Sequence, residues 1–253
     1  MDEPRAYDAG VSPSSPARAG GPDDGRELAR VRSYARRGSR LTPKQQLAWD
    51  NHREQWLLPT DAASRPLDPE AAFGRKAPLV VEVGSGNGES LAAMAAARAE
   101  CNVLAFEVWR PGVAATFLHL ERTGATNVRL VMVDAETSLE TMCGPGQVAE
   151  LWTFFPDPWP KSRHHKRRLV GPAFARTVAS RLAVGGWWRL ATDWDDYAEQ
   201  VERVLSAEPL LTGGRVPRWA ERPVTKFERR GVAAGRAITD LAYQRLASRA
   251  DRR

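Results

Sequence analysis

Three glycines at alternate positions, Gly84, Gly86 and Gly88, follow a short apolar run. Glycine allows sharp turns and close approach of a ligand to the backbone, because it has no Cβ. Glu82 stands two residues before the first glycine, and Glu89 stands where a dinucleotide-binding loop would carry its third glycine beside a pyrophosphate. Carboxylates at these places suit a cationic or zwitterionic ligand better than a diphosphate. A glycine loop alone is equally compatible with a tight strand-to-helix turn.

Two further acids stand where the next two apolar runs end. A carboxylate at Glu107 can accept hydrogen bonds from both hydroxyls of a ribose, although a solvated surface glutamate is the simpler alternative. Asp134 can meet an adenine amino group, and the small Ala135 beside it leaves room for the ring. Acids at the ends of three consecutive runs, beside a glycine loop, favour an adenosine-type ligand.

Asp157 lies between two prolines in the string PDPWPK, and a strongly basic segment follows it. The prolines fix φ and hold the chain extended, so this carboxylate has a defined direction. A basic run is usually a solvated face. This one is interior to the chain and adjoins a rigid turn, which favours a surface that tracks phosphates. Its cations and histidines are Lys161, Arg163, His164, His165, Lys166, Arg167 and Arg168.

Two segments in the C-terminal third of the sequence carry further candidate acids. Asp193 follows the fifth apolar run, and the segment from Thr225 through Lys226 and Phe227 to Glu228 carries a hydroxyl, a cation, a ring and an acid. A guanine offers N1–H and an exocyclic amine as donors, which Asp193 or Glu228 could accept. Phe227 could stack on an unstacked base, and a core phenylalanine is the alternative.

The elements that position these residues alternate between strand and helix. Apolar runs predict strands at 79–83, 103–106, 128–133, 151–155 and 186–191. Helical patterns lie near 90–98, 111–122, 172–182 and 197–206, and another helix should begin at Pro43 with Thr42 as its cap. Strands that are apolar on both faces and alternate with helices indicate a parallel sheet covered on both sides. Ligands of such sheets bind outside the carboxyl ends of the strands.

Charge is the unusual feature of an otherwise ordinary composition. The 253 residues are 42% hydrophobic and 27% charged, which is typical of a globular protein with a real core. The net charge is +6, but residues 1–25 carry −3 and the remainder therefore carries +9. Such an excess favours a polyanionic partner, with nucleic acid as the first candidate. Residues 1–38 are predicted to be a disordered or flexible arm, and residues 39–253 to be the folded domain.

Several classes of protein are not expected. No stretch approaches the roughly 20 apolar residues of a membrane-spanning helix, and no apolar core follows a basic start as in a secretory signal. Cys101 and Cys143 are too few for a disulfide framework, and the four histidines lack metal-binding spacings. We therefore expect a cytoplasmic protein without a metal or a membrane partner. Monomer and homodimer are both compatible with the sequence.

Six strings occur in this chain in the order known from one enzyme family: VEVGSGNGESL, FEVWRPGVA, NVRLVMVDA, FFPDPWPKSRHHKRRL, ATDWDDYA and TKFERRG. With GSRLTPKQ near the start of the domain they cover roughly residues 38–231. The glycine loop is common to many methyltransferases, whereas the strings with PDPWPK and TKFE are far more specific. The chain resembles the bacterial tRNA (guanine-N7-)-methyltransferases, which use S-adenosylmethionine to methylate the guanosine at tRNA position 46.

The resemblance implies a Rossmann-like, S-adenosylmethionine-dependent methyltransferase fold of the α/β class. Its mostly parallel seven-stranded sheet has helices on both faces and an antiparallel final strand. The implied cofactor contacts are Glu82, Gly84, Gly86, Gly88, Glu107, Asp134, Ala135 and Asp157. The implied substrate contacts are Lys161, Asp193, Thr225, Lys226, Phe227 and Glu228. The implied tRNA contacts are Arg163, His164, His165, Lys166, Arg167 and Arg168.

The chemistry of the reaction explains why Asp157 is the catalytic candidate. N7 of guanine carries an in-plane lone pair and needs no deprotonation, so in-line positioning should supply most of the rate. A fixed carboxylate would balance the positive charge that moves onto the purine. N7 lies in the deep, narrow major groove of an RNA helix, so the base should be reached by unstacking.

Two alternatives compete with this interpretation. An NAD(P)-dependent oxidoreductase is disfavoured by the glycine spacing and by Glu89, which would face a pyrophosphate. An RNA-binding protein on a degenerate methyltransferase fold, without catalysis, is disfavoured because a binding module would not need the acids after the strands.

Overall fold

Seven strands form one sheet within residues 38–248, which a computed structural model describes together with Tyr34 and Asp251. The strands are β1 Leu79–Val83, β2 Asn102–Phe106, β3 Val128–Val131, β4 Val148–Phe154, β5 Leu182–Thr192, β6 Leu211–Val216 and β7 Thr239–Arg245. Their order is β3-β2-β1-β4-β5-β7-β6, and β7 runs antiparallel to both of its neighbours, whereas β1 to β5 are parallel. The predicted mostly parallel sheet with an antiparallel final strand is confirmed.

Helices cover both faces of the sheet. They are α1 Pro43–Trp56, α2 Pro69–Phe73, α3 Glu89–Ala97, α4 Arg110–Thr123, α5 Ala135–Met142, α6 Pro172–Arg181, α7 Asp195–Ser206 and α8 Lys226–Ala233. Successive side chains of a strand point to opposite faces, and β1 shows this directly. Val80 belongs to the core cluster that contains residues of α1, α3 and α4, whereas Val81 belongs to the cluster that contains residues of α5, α6 and α7. The doubly covered sheet explains why the strand runs are apolar on both faces.

The first helix begins where the sequence predicted. The hydroxyl of Thr42 accepts a hydrogen bond from the Gln45 N–H at 3.3 Å, and Gln45 Oε1 accepts one from the Thr42 N–H at 3.0 Å. This reciprocal capping box satisfies two backbone donors at the start of α1. The Gln45 side chain also donates to the Pro111 carbonyl at 3.0 Å, which ties α1 to α4.

The apolar runs in the sequence do not predict the last two strands, β6 and β7, for physical reasons. β6 lies at one edge of the sheet, has the sequence LTGGRV, and exposes most of its residues, so its sequence carries little apolar signal. β7 is well buried, but it includes the buried charged residues Asp240 and Arg245. Their charges are paired, with Arg222 and Asp251 respectively, which a sequence pattern does not show.

The predicted arm, residues 1–38, lies outside the described residues except at Tyr34 and Gly38. Within the described part of the chain, no helix is long and apolar enough to cross a membrane. No group of three or more His, Cys, Asp or Glu side chains in that part could hold a metal ion. Cys101 and Cys143 are both buried and unlinked, and burial raises the pKa of the Cys143 thiol to about 12.

Candidate functional site

A cavity of about 440 Å³ opens at the carboxyl ends of β1, β2 and β4. This volume is typical of sites for small molecules and cofactors. Seven of the eight residues that the sequence predicted as cofactor contacts line it, and only Gly88 does not. Of the predicted substrate contacts, Thr225, Lys226 and Phe227 line the same cavity, whereas Lys161, Asp193 and Glu228 do not.

The glycine loop is built from left-handed backbone. Gly84, Gly86 and Gly88 have φ values of 78°, 61° and 77°, and Gly88 is the residue before the first turn of α3. A Cβ on Gly88 would lie 2.3 Å from the hydroxyl oxygen of Thr116. A Cβ on Gly112, at the start of α4, would lie 2.2 Å from the Gly86 carbonyl oxygen. Gly112 thus lets α4 approach the loop, a role that sequence reasoning missed because it depends on contact between distant segments.

Glu107 holds the glycine loop in place. Its Oε2 accepts a hydrogen bond from the Gly86 N–H at 2.6 Å, and Oε1 accepts from the N–H groups of Val108 and Trp109 at 2.7 and 2.8 Å. A carboxylate offers about four acceptor positions, and these backbone groups occupy three. Acceptance from both hydroxyls of a ribose, which stays a prediction, would share this carboxylate with the three backbone donors.

Two residues that line the cavity each have a buried side-chain oxygen without a hydrogen-bond partner among the described residues. These oxygens are Oε2 of Glu82 and Oγ of Ser85. Both residues are less than a tenth exposed. Burial, with a smaller contribution from the charge of Glu107, raises the pKa of Glu82 to about 8. Because buried polar atoms are normally hydrogen-bonded, these two point to a polar ligand, and Ser85 is a candidate contact that sequence reasoning did not single out.

Asp134 and Ala135 form the start of α5 at the cavity wall. The Asp134 carboxylate accepts a hydrogen bond from the Glu136 N–H at 3.0 Å and so caps this helix. Ala135 is buried beside it. Asp134 therefore has a structural role in addition to the adenine contact predicted from the sequence, which stays a prediction.

Asp157 stands in a strained turn at the cavity. Phe155 and Trp159, with φ values of 52° and 46°, are the described non-glycine residues with positive φ, and they flank Asp157 on either side. Such backbone conformations are costly for bulky side chains and cluster at functional sites. The guanidinium of Arg167 lies 3.7 Å from the centre of the Trp159 ring, and this cation–π contact stabilises the turn.

Arg168 differs from the expectation that it contacts RNA. Its side chain is 1% exposed, and its Nη2 donates to both carboxylate oxygens of Asp196, at 2.9 and 2.8 Å. Its Nε donates to the Pro158 carbonyl at 2.8 Å, directly after Asp157. Since this guanidinium points inward, it positions the turn rather than meeting solvent.

The other residues of the basic segment differ in how far they are exposed to solvent. Lys161, Arg163 and Lys166 are exposed, whereas His164 and His165 are half-buried. Partial desolvation lowers the pKa of His164, and nearby cations, Arg163 first among them, lower it further. His165 lies 3.6 Å from Asp196. The segment thus presents three exposed cations immediately beside the Asp157 turn.

Glu228 also differs from the expectation that it accepts hydrogen bonds from a guanine. It is 3% exposed, and its carboxylate accepts from Arg222 at 2.6 Å and from Arg218 at 3.1 Å. Arg222 itself is buried, lines the cavity, and bridges to Asp240 at 2.9 Å. Arg222 thereby connects Glu228 of α8 to Asp240 of β7. Sequence reasoning missed Arg222, because only the folded chain brings these three charges together.

Asp193 and Phe227 lie at different places around the site. Asp193 accepts a hydrogen bond from Arg236 at 2.6 Å, which ties the end of β5 to the segment after α8. Phe227 is 51% exposed, so the alternative of a core phenylalanine is wrong. Its ring centre lies 5.2 Å from that of Phe155, at the cavity.

Solved structures support the fold. The 16S rRNA methyltransferase KamB aligns with a TM-score of 0.53 at 16% identity, over 70% of this chain and 92% of that one. The 16S rRNA (adenine(1408)-N(1))-methyltransferase from Catenulisporales acidiphilia aligns with a TM-score of 0.51 at 15% identity, over 74% of this chain and 96% of that one. At such identities the similarity speaks for the fold alone.

Sequence relatives are far more similar. The family model described as "Putative methyltransferase" matches residues 76–241. A tRNA (guanine-N(7)-)-methyltransferase of a Nocardioides species is 59% identical over 223 residues, which cover 88% of this chain and 90% of that relative. The enzyme of the same description from Cutibacterium acnes is 50% identical over 230 residues, covering 85% and 83%. The chain belongs to the family of tRNA (guanine-N7-)-methyltransferases.

Proposed function

We propose that this protein transfers the methyl group of S-adenosylmethionine to N7 of the guanosine at position 46 of tRNA, in the cytoplasm. The observation that carries the proposal is the strained turn that presents Asp157 in an acid-lined cavity, directly beside the exposed cations Lys161, Arg163 and Lys166. One side of the turn suits a cationic small molecule, and the other suits a phosphate backbone.

The residues of the cavity fit the methyl donor. When bound, S-adenosylmethionine supplies an electrophilic methyl group on a positively charged sulfur. Glu82 would hold its ammonium group, since one carboxylate oxygen is buried at the cavity without a partner among the described residues. Ser85 offers a second unpartnered oxygen, and Asp134 with Ala135 would border the adenine.

Asp157 acts in this proposal through its charge and its fixed direction. Guanine N7 attacks with a lone pair, so no proton has to be removed, and positive charge develops on the purine as the bond forms. A carboxylate held by the strained backbone stabilises that charge without having to reorganise. Arg168 keeps the turn in position through its hydrogen bond to the Pro158 carbonyl.

The target base enters beside α8. Phe227 is half exposed at the cavity, where an aromatic ring can stack on an unstacked purine. Lys226 and Thr225 line the same wall. The three exposed cations beside Asp157 would track the phosphates that flank the guanosine.

The test is a methylation assay on two transcripts that differ at one position. Unmodified tRNA with guanosine at position 46 is incubated with the protein and labelled S-adenosylmethionine, and the product is mapped. The matched control carries adenosine at position 46. We expect N7-methylguanosine at position 46 of the first transcript and no label in the second.

Other outcomes would overturn the proposal. Label at another guanosine, or equal label in both transcripts, would contradict the assigned position. Tight binding of tRNA without methyl transfer to any RNA would instead favour an RNA-binding protein on a methyltransferase fold.

A further inference from the structure

Glu89 links the glycine loop to the first turn of α8. It is the first residue of α3, directly after Gly88. Its Oε2 accepts a hydrogen bond from the backbone N–H of Lys226 at 3.0 Å, across 137 positions of sequence. Its Oε1 lies 3.7 Å from the guanidinium of Arg229. One side chain therefore spans from the loop on one side of the cavity to the helix on the other.

The two elements that Glu89 joins face different ligands. Gly84 and Gly86 line the cavity on the side that fits the methyl donor, whereas Lys226 and Phe227 line it on the side assigned to the guanosine. The loop is in turn fixed by the hydrogen bond from Gly86 to Glu107. Glu89 therefore connects the loop that Glu107 fixes to the start of α8.

The other anchors of α8 do not reach the loop. Arg222 donates a hydrogen bond to Glu228, and Arg236 donates one to Asp193, which ties down the segment after the helix. These contacts fix the first turn of α8 from within its own end of the chain, through Glu228, and the segment that follows the helix, through Arg236. The N-terminal turn, which carries the residues of the cavity wall, is tied to the loop by Glu89.

We propose that Glu89 is a positioning residue that fastens α8 to the glycine loop, so that binding of the methyl donor and binding of the guanosine strengthen each other. The inference rests on the proposed function, from which it takes the two ligands. Each ligand favours the arrangement in which the loop and α8 are joined, and such a coupling is reciprocal. The hydrogen bond to the carboxylate is the closer of the two contacts, at 3.0 Å against 3.7 Å for the ion pair with Arg229.

The experiment measures this coupling without turnover. Isothermal titration gives the Kd of S-adenosylhomocysteine, which cannot transfer a methyl group, for the protein alone and for the protein saturated with tRNA that carries guanosine 46. The Kd of that tRNA is then measured with and without S-adenosylhomocysteine. Each ligand should tighten the other by the same factor, on the order of 10 in the wild type.

Variants separate the hydrogen bond from the charge. Glu89→Ala should reduce the coupling factor to about 2 or less, and Glu89→Gln should keep an intermediate value because its amide oxygen still accepts from Lys226. Arg229→Ala should remain close to the wild type. Glu100→Ala removes an exposed carboxylate just beyond the other end of α3 and serves as the control, with unchanged coupling. Thermal unfolding of each variant verifies that the fold is kept.

The outcomes distinguish this inference from the proposed function. A wild type that methylates guanosine 46 but shows a coupling factor of one would overturn the role of Glu89 alone. The same holds if folded Glu89→Ala and Glu89→Gln both keep the wild-type factor. A wild type that shows coupling but methylates no tRNA would overturn the proposed function alone.

Discussion

Glu107, at the end of β2, accepts a hydrogen bond of 2.6 Å from the backbone N–H of Gly86, in the loop that follows β1. The same carboxylate accepts from the N–H groups of Val108 and Trp109. One buried acid therefore determines the shape of two neighbouring loops at the cavity. A residue predicted to bind a ligand also builds the surface on which the ligand would lie.

Glu107→Gln should weaken binding of the methyl donor. The amide offers one acceptor oxygen and turns an NH₂ group toward a backbone N–H. A ribose hydroxyl that binds Glu107 as predicted would lose a charged acceptor, at a cost of about 1.5–3 kcal/mol, so we expect a Kd for S-adenosylhomocysteine roughly 10- to 100-fold higher by titration calorimetry. Glu140→Gln, at an exposed position of α5, is the control. Equal Kd values for the two variants would contradict the prediction.

Glu82 should make the stability of the ligand-free protein fall as pH rises. Burial raises the pKa of this carboxyl from 4.5 to about 8. Between these values the folded chain holds a proton that the unfolded chain has lost, so the free energy of unfolding decreases with increasing pH. Urea unfolding from about pH 5 to about pH 9 should show this decline.

Glu82→Gln should remove that part of the decline, since the amide resembles the protonated acid and does not titrate. Glu54→Gln changes an exposed glutamate of α1 and should leave the pH dependence as in the wild type. Parallel pH curves for the wild type and Glu82→Gln would refute the assignment.

Asp157→Ala and Asp157→Asn should lower the single-turnover rate of methyl transfer by about 100- to 1000-fold, the usual cost of losing one electrostatic contact to a developing charge. The Kd of tRNA should change little, because the exposed cations are untouched. Asp195→Asn removes the charge of an exposed carboxylate in the first turn of α7 and is the matched control. Wild-type turnover in Asp157→Ala would rule out the catalytic role.

Replacement of Lys161, Arg163 and Lys166 by alanine should weaken binding of all tRNAs and flatten the salt dependence. Each lost phosphate contact removes about 0.7–0.9 from the slope of log K against log salt, so the triple variant should lose roughly 2–3. Filter binding at several salt concentrations measures the slope. An unchanged slope would place the RNA surface elsewhere.

Arg168→Ala is the informative contrast to that triple variant. Because Arg168 is buried against Asp196 and the Pro158 carbonyl, its loss should lower Tm and the rate of methyl transfer. The salt slope should stay close to that of the wild type. A loss of slope without a change in Tm would restore Arg168 to the RNA surface.

Local patterns were sufficient for the parallel part of the sheet. Of the five strands found from apolar runs, β1 to β4 have four to seven mostly buried residues, so their signal lies within a few positions. In β5 the apolar run marks the buried second half of a strand of 11 residues. The start of α1 was equally readable, because Thr42 and Gln45 form its cap three residues apart. The strands β6 and β7 required the resemblance to known enzymes, because exposure of one and paired charges in the other erase the apolar pattern.

Residue types and their order in the sequence alone determined the family, and they predicted the acids that line the cavity and the basic segment beside Asp157. Only the tertiary structure decided which of these charges are available to a ligand. It turned Arg168 and Glu228 inward to partners 28 and 6 positions away, and it joined Glu89 to Lys226 across 137 positions. The physical reason is that the type of a charged residue is known from the sequence, whereas its burial and its partner depend on which segments the fold brings into contact.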